Sequence, residues 1–91
     1  MTETARADLR AMIVTHSLPA STGARVRASL DALAEFPEIG PALQGRWQGL
    51  RFVLGPWPWM LLVYLWDPGA DVVAVVTIQD ARTGSAATGE T

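Results

Sequence analysis

The sequence predicts one α+β domain, in which an N-terminal helical hairpin packs on a small twisted antiparallel sheet. Apolar residues recur at helical spacing as far as Pro37, which indicates that the part of the chain before Pro37 is helical. Runs rich in aliphatic, β-branched and aromatic residues follow, which is typical of strands. The 91 residues contain no cysteine, so a hydrophobic core rather than disulfides must stabilise them.

Two helices are predicted, over residues 4–16 and 20–36. In the first, Ala5, Leu9, Met12 and Ile13 form one face. Ser17 is predicted to cap the second helix, and Pro37 to end it. The inward stripe of the second helix consists of Ala24, Val26, Leu30, Leu33 and Ala34.

Strands are predicted at residues 50–54, 59–66 and 72–79. A proline-containing connection, Gly55-Pro56-Trp57-Pro58, precedes the second strand, and a Pro-Gly turn over 67–71 precedes the third. The domain is predicted to comprise residues 1–82. Residues 83–91 are small and polar and are predicted to form a mobile tail.

The predicted sheet is apolar on both faces. Strict alternation places Met60, Leu62, Tyr64 and Trp66 on one face of the middle strand and Leu61, Val63 and Leu65 on the other. Because two helices cover only one face, we expect a partner or a second copy on the other. Loops and tail folding over that face are the alternative. The predicted partner-binding residues are Trp57, Trp59, Leu61, Val63, Val73 and Val75.

The charge pattern argues against non-specific nucleic-acid binding. The chain contains seven basic residues, all arginine, and nine acidic residues, which gives a net charge of -2. Domains that bind nucleic acid through its phosphates usually have an excess of basic residues. The longest apolar stretch, residues 57–66, contains a proline and has about half the length of a membrane span. The start, Met1-Thr2-Glu3-Thr4, shows no signal-peptide pattern. We therefore expect a cytoplasmic protein without membrane association.

Few residues suggest chemistry. His16, the single histidine, is predicted to cap the first helix, and one histidine without cysteine indicates no zinc site, so we predict no metal and no cofactor. Tyr64 is predicted to pack in the core. If the strands that carry or precede them are neighbours, Arg51 and Arg82 converge near one end of the sheet and can bind a carboxylate or phosphate. A salt bridge of either arginine with Asp80 is the equal alternative.

Four segments resemble the RelE/ParE toxins of type II toxin–antitoxin modules. They are Leu-Ala-Glu-Phe-Pro-Glu-Ile-Gly at 33–40, Gly-Leu-Arg at 49–51, Leu-Val-Tyr at 62–64 and Val-Thr-Ile-Gln-Asp-Ala-Arg at 76–82. The resemblance extends over residues 5–82. It implies the compact microbial-ribonuclease-like α+β fold and a cognate antitoxin as partner. The activity implied is either inhibition of DNA gyrase by binding (ParE) or ribosome-dependent mRNA cleavage (RelE).

Departures from the family pattern favour ParE-like action. Arg51 and Arg82 match two basic positions of RelE-type nucleases, and Tyr64 is a candidate catalytic residue only if this chain is a nuclease. Val53 and Leu61 stand where further basic residues occur, and the tail around Thr88 lacks the family's tyrosine. Met1 to Glu3 cannot form the family's usual first strand, so either the chain start is truncated or this branch lacks the strand. If the strand is missing, we expect an open sheet edge or groove. The alternatives are a RelE-like mRNA endonuclease and a non-toxic binding domain that kept the fold.

Overall fold

The computed structural model describes residues 1–83 and 86–88. The helices are α1 (Glu3–Thr15) and α2 (Thr22–Glu35), and a short 3-10 helix covers Gly45–Trp47. The strands are β1 (Arg51–Leu54), β2 (Met60–Asp67) and β3 (Val72–Asp80). All pairings are antiparallel in the order β1-β2-β3. The predicted α+β class is thus confirmed, and α1 is the first element of the described chain.

Helix α1 begins and ends as its local sequence directs. The side chain of Thr2 caps it by accepting a hydrogen bond from the backbone N–H of Ala5 at 3.2 Å. Of the face predicted for it, Ala5, Leu9 and Met12 are buried and Ile13 is half-buried. Ser17 adopts the left-handed conformation with a φ of 52°, so it terminates α1. The prediction that Ser17 caps α2 is therefore wrong, because the N-cap position of α2 is Ser21.

Helix α2 buries a narrower stripe than its sequence suggests. Val26 and Leu33 are buried and Leu30 is half-buried, whereas Ala24 and Ala34 are exposed. The helix ends at Glu35, with Phe36 as C-cap directly before Pro37. Most of the surface of α2 is consequently available to solvent.

A β-bulge sets which side chains of β3 face the helices. Tyr64 pairs with Val75, but its neighbour Val63 pairs with Thr77, so Val76 is an extra residue on β3. The extra residue reverses the alternation of side chains along the strand. Val73, Val75 and Ile78 consequently lie on the helix side, whereas Val76 lies on the opposite side.

The helix-side core joins the two helices to the sheet. Its buried members come from α1, α2, β2 and β3, and half-buried tryptophans pack around them. The buried members are Ala5, Leu9, Met12, Val26, Leu33, Met60, Leu62, Tyr64, Val75 and Ile78.

A second core covers the other face of the sheet. Leu61 and Val63 are buried there against Leu43, Ala86 and Ala87, with Trp47, Leu50, Phe52, Val76 and Ala81 around them. The expectation that this face lacks a cover within the chain is wrong around Leu61 and Val63, because Leu43 before β1 and Ala86 and Ala87 after β3 pack there. Leu65, which was predicted on the same face, is 44% exposed.

The predicted domain limit at residue 82 does not coincide with the edge of this core. Ala86 and Ala87 are buried, and the backbone N–H of Ala87 donates to the side-chain oxygen of Gln79 at 2.8 Å. Residues 84, 85 and 89–91 of the predicted mobile tail lie outside the described residues.

The outer edge of β3 is closed by the start of the chain. The backbone N–H of Thr2 donates to the carbonyl of Val75 at 2.9 Å, and its hydroxyl donates to that of Val76 at 3.2 Å. The carboxylate of Asp8 accepts from the hydroxyl of Thr77 and the N–H of Ile78, at 2.6 and 3.1 Å. The edge predicted to be open is therefore occupied at these positions.

Candidate functional site

The structure separates the two arginines that were predicted to converge. Arg51 opens β1 opposite Tyr64, whereas Arg82 follows Asp80, which pairs with Met60. Met60 and Tyr64 are four positions apart on β2, or about 13 Å along the strand. β1 and β3 also flank β2 on opposite sides. The predicted convergence is wrong because it required the two strands to be neighbours.

Arg51 is held by its own backbone surroundings. Its Nη1 donates to the carbonyl oxygens of Gly40 at 2.8 Å and Glu38 at 3.4 Å. Gly40 also donates its N–H to the hydroxyl of Tyr64 at 3.1 Å, so both side chains fasten the turn after α2 to the sheet. Neither bond involves Asp80, the alternative partner that the sequence offered.

Tyr64 is fully buried and its hydroxyl has two backbone partners. It accepts from Gly40 and donates to the carbonyl of Pro37 at 2.7 Å. An added Cβ at Gly40 would lie 2.7 Å from this hydroxyl oxygen and closer still to the backbone of Phe52, so only glycine fits here. These contacts make Tyr64 a core residue that positions the turn over residues 37–40.

Arg82 and Asp80 form the most extensive polar cluster of the described residues. Arg82 binds the carboxylate of Asp80 with two side-chain bonds, Nε to Oδ1 at 2.9 Å and Nη2 to Oδ2 at 2.7 Å. His16 Nε2 lies 3.0 Å from Oδ2 of Asp80, and its ring stacks on Trp59 at a centroid distance of 4.9 Å. The guanidinium of Arg82 lies 4.8 Å from the Trp59 ring. We call these four residues the Asp80 cluster.

The electrostatics of the Asp80 cluster follow from these bonds. Hydrogen bonds from the Arg82 side chain and backbone, and then from His16, hold the pKa of Asp80 well below its usual range despite partial burial. The same carboxylate raises the pKa of Arg82. Sequence inspection found the Asp80–Arg82 pair, but it placed His16 only as a helix cap. The contact with Asp80 depends on the packing of α1 against the end of β3.

The tryptophans of the 55–59 connection are stacked rather than free. Trp57 and Trp59 stack at 6.1 Å, and the guanidinium of Arg25 lies 5.7 Å from the Trp57 ring. Both tryptophans are half-buried against the helix-side core. Their faces are thus largely occupied by other side chains of the same chain.

The remaining predicted partner-binding residues lie inside the molecule. Leu61 and Val63 belong to the second core, and Val75 is buried on the helix side together with half-buried Val73. The bulge explains why Val73 and Val75 lie on the helix side. As the chain is folded, Leu61, Val63 and Val75 present no surface to a partner.

Exposed apolar surface instead borders the end of α2 and the edge of β1. Phe36, Ile39 and Leu54 are 57%, 64% and 50% exposed. Ile39 and Leu54 line a groove between α2 and β1, whose other walls are Ser29, Ala32, Leu33 and Val53. A hollow lined by residues 35–39 contains Phe36 and also includes Ile39. We call these two depressions together the α2–β1 groove.

Sequence reasoning missed the α2–β1 groove because Phe36 and Ile39 flank Pro37 and belong to no periodic face. The available signal was two large apolar side chains in a short segment that neither helix nor strand periodicity assigns to the core. Such a segment is a candidate contact surface when its backbone is held rigidly, as Tyr64 and Arg51 hold this one.

Neither a metal site nor a membrane span is found in the described part of the chain. No three His, Asp or Glu side chains of residues 1–83 and 86–88 are arranged to hold a metal ion. Neither described helix combines the length and hydropathy that crossing a bilayer requires.

Comparison of the chain with models of protein families, with curated proteins and with solved structures finds no match.

Proposed function

We propose that this chain is the toxin of a type II toxin–antitoxin module, acting in the cytoplasm by ParE-like inhibition of DNA gyrase and neutralised by a cognate antitoxin. The starting point is the resemblance of residues 5–82 to RelE/ParE toxins. Two N-terminal helices on an antiparallel sheet are the arrangement that this resemblance implies, and the chain has that arrangement. The fold is compatible with the proposal without being specific to it.

The observation that favours binding over catalysis is the separation of the candidate catalytic residues. Arg51 and Tyr64 meet at Gly40, near the middle of β2, whereas Arg82 is bound to Asp80 beside the start of β2, on the other side of that strand. General acid–base catalysis on one phosphodiester needs its groups within hydrogen-bond reach of the same reacting atoms. The RelE-like alternative therefore receives no support from the arrangement of these three side chains.

A toxin that acts by binding requires exposed surface rather than an assembled catalytic site. The α2–β1 groove supplies such a surface, and Phe36, Ile39 and Leu54 give it apolar character. Exposed apolar residues around a turn that is held by hydrogen bonds are suited to contact another protein. The antitoxin and gyrase are both proteins, so such a surface suits either partner.

Inducible expression in a bacterial host tests the proposal. We expect growth arrest with DNA damage, relief of arrest by co-expression of an antitoxin encoded in an adjacent reading frame, and inhibition of supercoiling by purified gyrase. Arg51→Ala and Arg82→Ala variants that remain folded by circular dichroism should keep the arrest, because binding does not need them as catalysts.

Other outcomes separate the alternatives. Arrest that begins with a halt in translation, leaves gyrase active and disappears in the folded arginine variants would identify an mRNA endonuclease. Harmless expression without any antitoxin would contradict the proposal and favour a non-toxic binding domain.

A further inference from the structure

We infer that the α2–β1 groove binds one short segment of a partner protein, and that this segment combines apolar side chains with arginine or lysine. This inference rests on the proposed function in one respect. If the chain is a toxin, the protein that supplies the segment is the neutralising antitoxin. The chemistry of the segment follows from the groove itself.

The apolar requirement comes from the side chains that the groove leaves uncovered. Phe36, Ile39 and Leu54 are each at least half exposed, although Leu33 and Val53 beside them belong to or pack against the helix-side core. The exposed side chains therefore continue the core outward to the surface. An apolar side chain in the groove would extend the core and remove these residues from water.

The requirement for positive charge comes from the carboxylates around the groove. Glu35 is the last residue of α2 and Glu38 follows in the turn, and both line the same hollow as Phe36. Asp31 lies four positions before Glu35, so the two carboxylates are like-charged neighbours on the helix surface. All three lie near the end of the helix where its dipole favours cations, and the last turn contains no basic residue.

None of these carboxylates forms an ion pair with a cation of the described residues, and this includes Asp31 with Arg27 four positions before it. The ion pairs among residues 1–83 and 86–88 involve Glu3 and Asp80, not Asp31, Glu35 or Glu38. Arg51 is near, but its bonds go to the carbonyl oxygens of Glu38 and Gly40. Three carboxylates near the C-terminal end of α2 are electrostatically unfavourable in the isolated chain, because they repel each other and the negative end of the helix dipole. An arginine or lysine of a partner would relieve this repulsion.

The edge of β1 offers a main-chain contact in the same place. Pro41, Ala42 and Leu43 lie along the first half of the strand, where the N–H of Phe52 donates to Pro41 and that of Leu43 to Leu50. Antiparallel alternation directs the N–H and C=O of Leu54 to the same edge, and the described residues provide no partner for them there. One extended residue of the partner segment fits this position.

Binding of synthetic peptides to the purified chain tests the inference. The probes are two soluble ten-residue peptides, one alternating valine with arginine and the other alternating valine with glutamate, followed by fluorescence anisotropy. We expect the arginine peptide to bind and the glutamate peptide to bind at least tenfold more weakly. The preference should shrink as salt is raised from about 0.05 to 0.5 M, because exposed charges are screened.

Variants of the groove locate the binding site. The double variant Glu35→Gln, Glu38→Gln should lower the affinity for the arginine peptide by about 2- to 20-fold, the range expected for the loss of two exposed ion pairs. Phe36→Ala should weaken it by roughly tenfold or more through lost apolar contact. Glu3→Gln with Asp71→Asn removes the same net charge at exposed sites away from the groove and is the matched control.

Three results would overturn the inference: equal binding of the two peptides, equal loss in the control variant, or a dimer at micromolar concentration that Phe36→Ala dissociates. The last would identify a second copy of this chain as the occupant. The proposed function fails separately, because growth arrest is measured on expression of the chain and peptide binding on the purified protein. If the chain is non-toxic and still binds the arginine peptide selectively, the inferred preference of the groove is supported. In that case only the assignment of the partner as an antitoxin fails.

Discussion

At the residue scale, Asp80 joins three parts of the chain. It holds Arg82 two residues further on, and it contacts His16 at the end of α1, which also stacks on Trp59 of the 55–59 connection. The pair with Arg82 was predictable because the residues are close in sequence. The contact with His16, 64 positions away, was not, because no local pattern reports which strand end lies beside which helix end.

The lowered pKa of Asp80 predicts how acid affects stability. A carboxyl whose pKa is depressed by folding stabilises the native state above its unfolded pKa of about 3.9, and this contribution is lost as pH falls toward the folded pKa. Asp80→Asn should therefore be less stable than wild type at pH 6 to 7, with the difference narrowing below about pH 4. Urea denaturation at several pH values measures this difference.

Asp31→Asn is the control for Asp80→Asn. It removes an exposed carboxylate that forms no ion pair among the described residues. A stability difference for Asp80→Asn that stays constant from pH 7 to pH 3 would contradict a role for the ionised carboxylate.

At the element scale, the buried face of α1 was predicted more accurately than the faces of β3. The buried face of α1 depends on the spacing of apolar residues, which is repeated over several turns. An error of one residue at either end of the helix therefore does not change which residues are buried. The face of a strand depends on strict alternation, and one bulged residue reverses it. The apolar character of Val73, Val75 and Val76 fits either side of the sheet, so the sequence contains no signal for the bulge at this position.

Two valines of β3 test the assignment of faces. Val75→Thr puts a hydroxyl into the helix-side core and should lower the free energy of unfolding by about 1–3 kcal/mol. Val72→Thr makes the same change at a side chain that is 51% exposed, and it should alter stability by less than about 0.5 kcal/mol. Equal losses in chemical denaturation of the two variants would contradict the bulged register.

At the scale of the whole molecule, the sheet has two covered faces rather than one. Sequence composition predicted an excess of apolar surface correctly, and it also offered loops and tail as an alternative cover. It could not decide between that cover and a partner, because Leu43, Ala86 and Ala87 show no periodicity and lie far from Leu61 and Val63 in the chain. The part of the sheet around Leu61 and Val63 is therefore covered, whereas Leu65 and Val72 at the other end of β2 and β3 are 44% and 51% exposed. The α2–β1 groove is the apolar surface that forms a depression.

Two residues near the end of the chain test the second core. Ala86→Glu introduces a charge at a buried position and should destabilise the chain by more than about 2 kcal/mol. Thr88→Glu adds the same charge at an exposed position nearby, where we expect little change. Thermal and urea unfolding measure both. If Ala86→Glu is as stable as Thr88→Glu, Ala86 is not part of the second core.

The bonds that Thr2 and Asp8 make to β3 have a consequence for how the protein avoids aggregation. Six of the seven residues from Val72 to Ile78 in β3 are β-branched, and the outer edge of this strand would otherwise template the addition of strands from other molecules. Asp8 meets this edge with a negative charge, and Thr2 occupies two of its carbonyls. The N-terminal part of α1 therefore blocks the edge of β3 against the addition of further strands. Fraying of this part of the helix would expose the edge, and we expect self-assembly to begin from that frayed state.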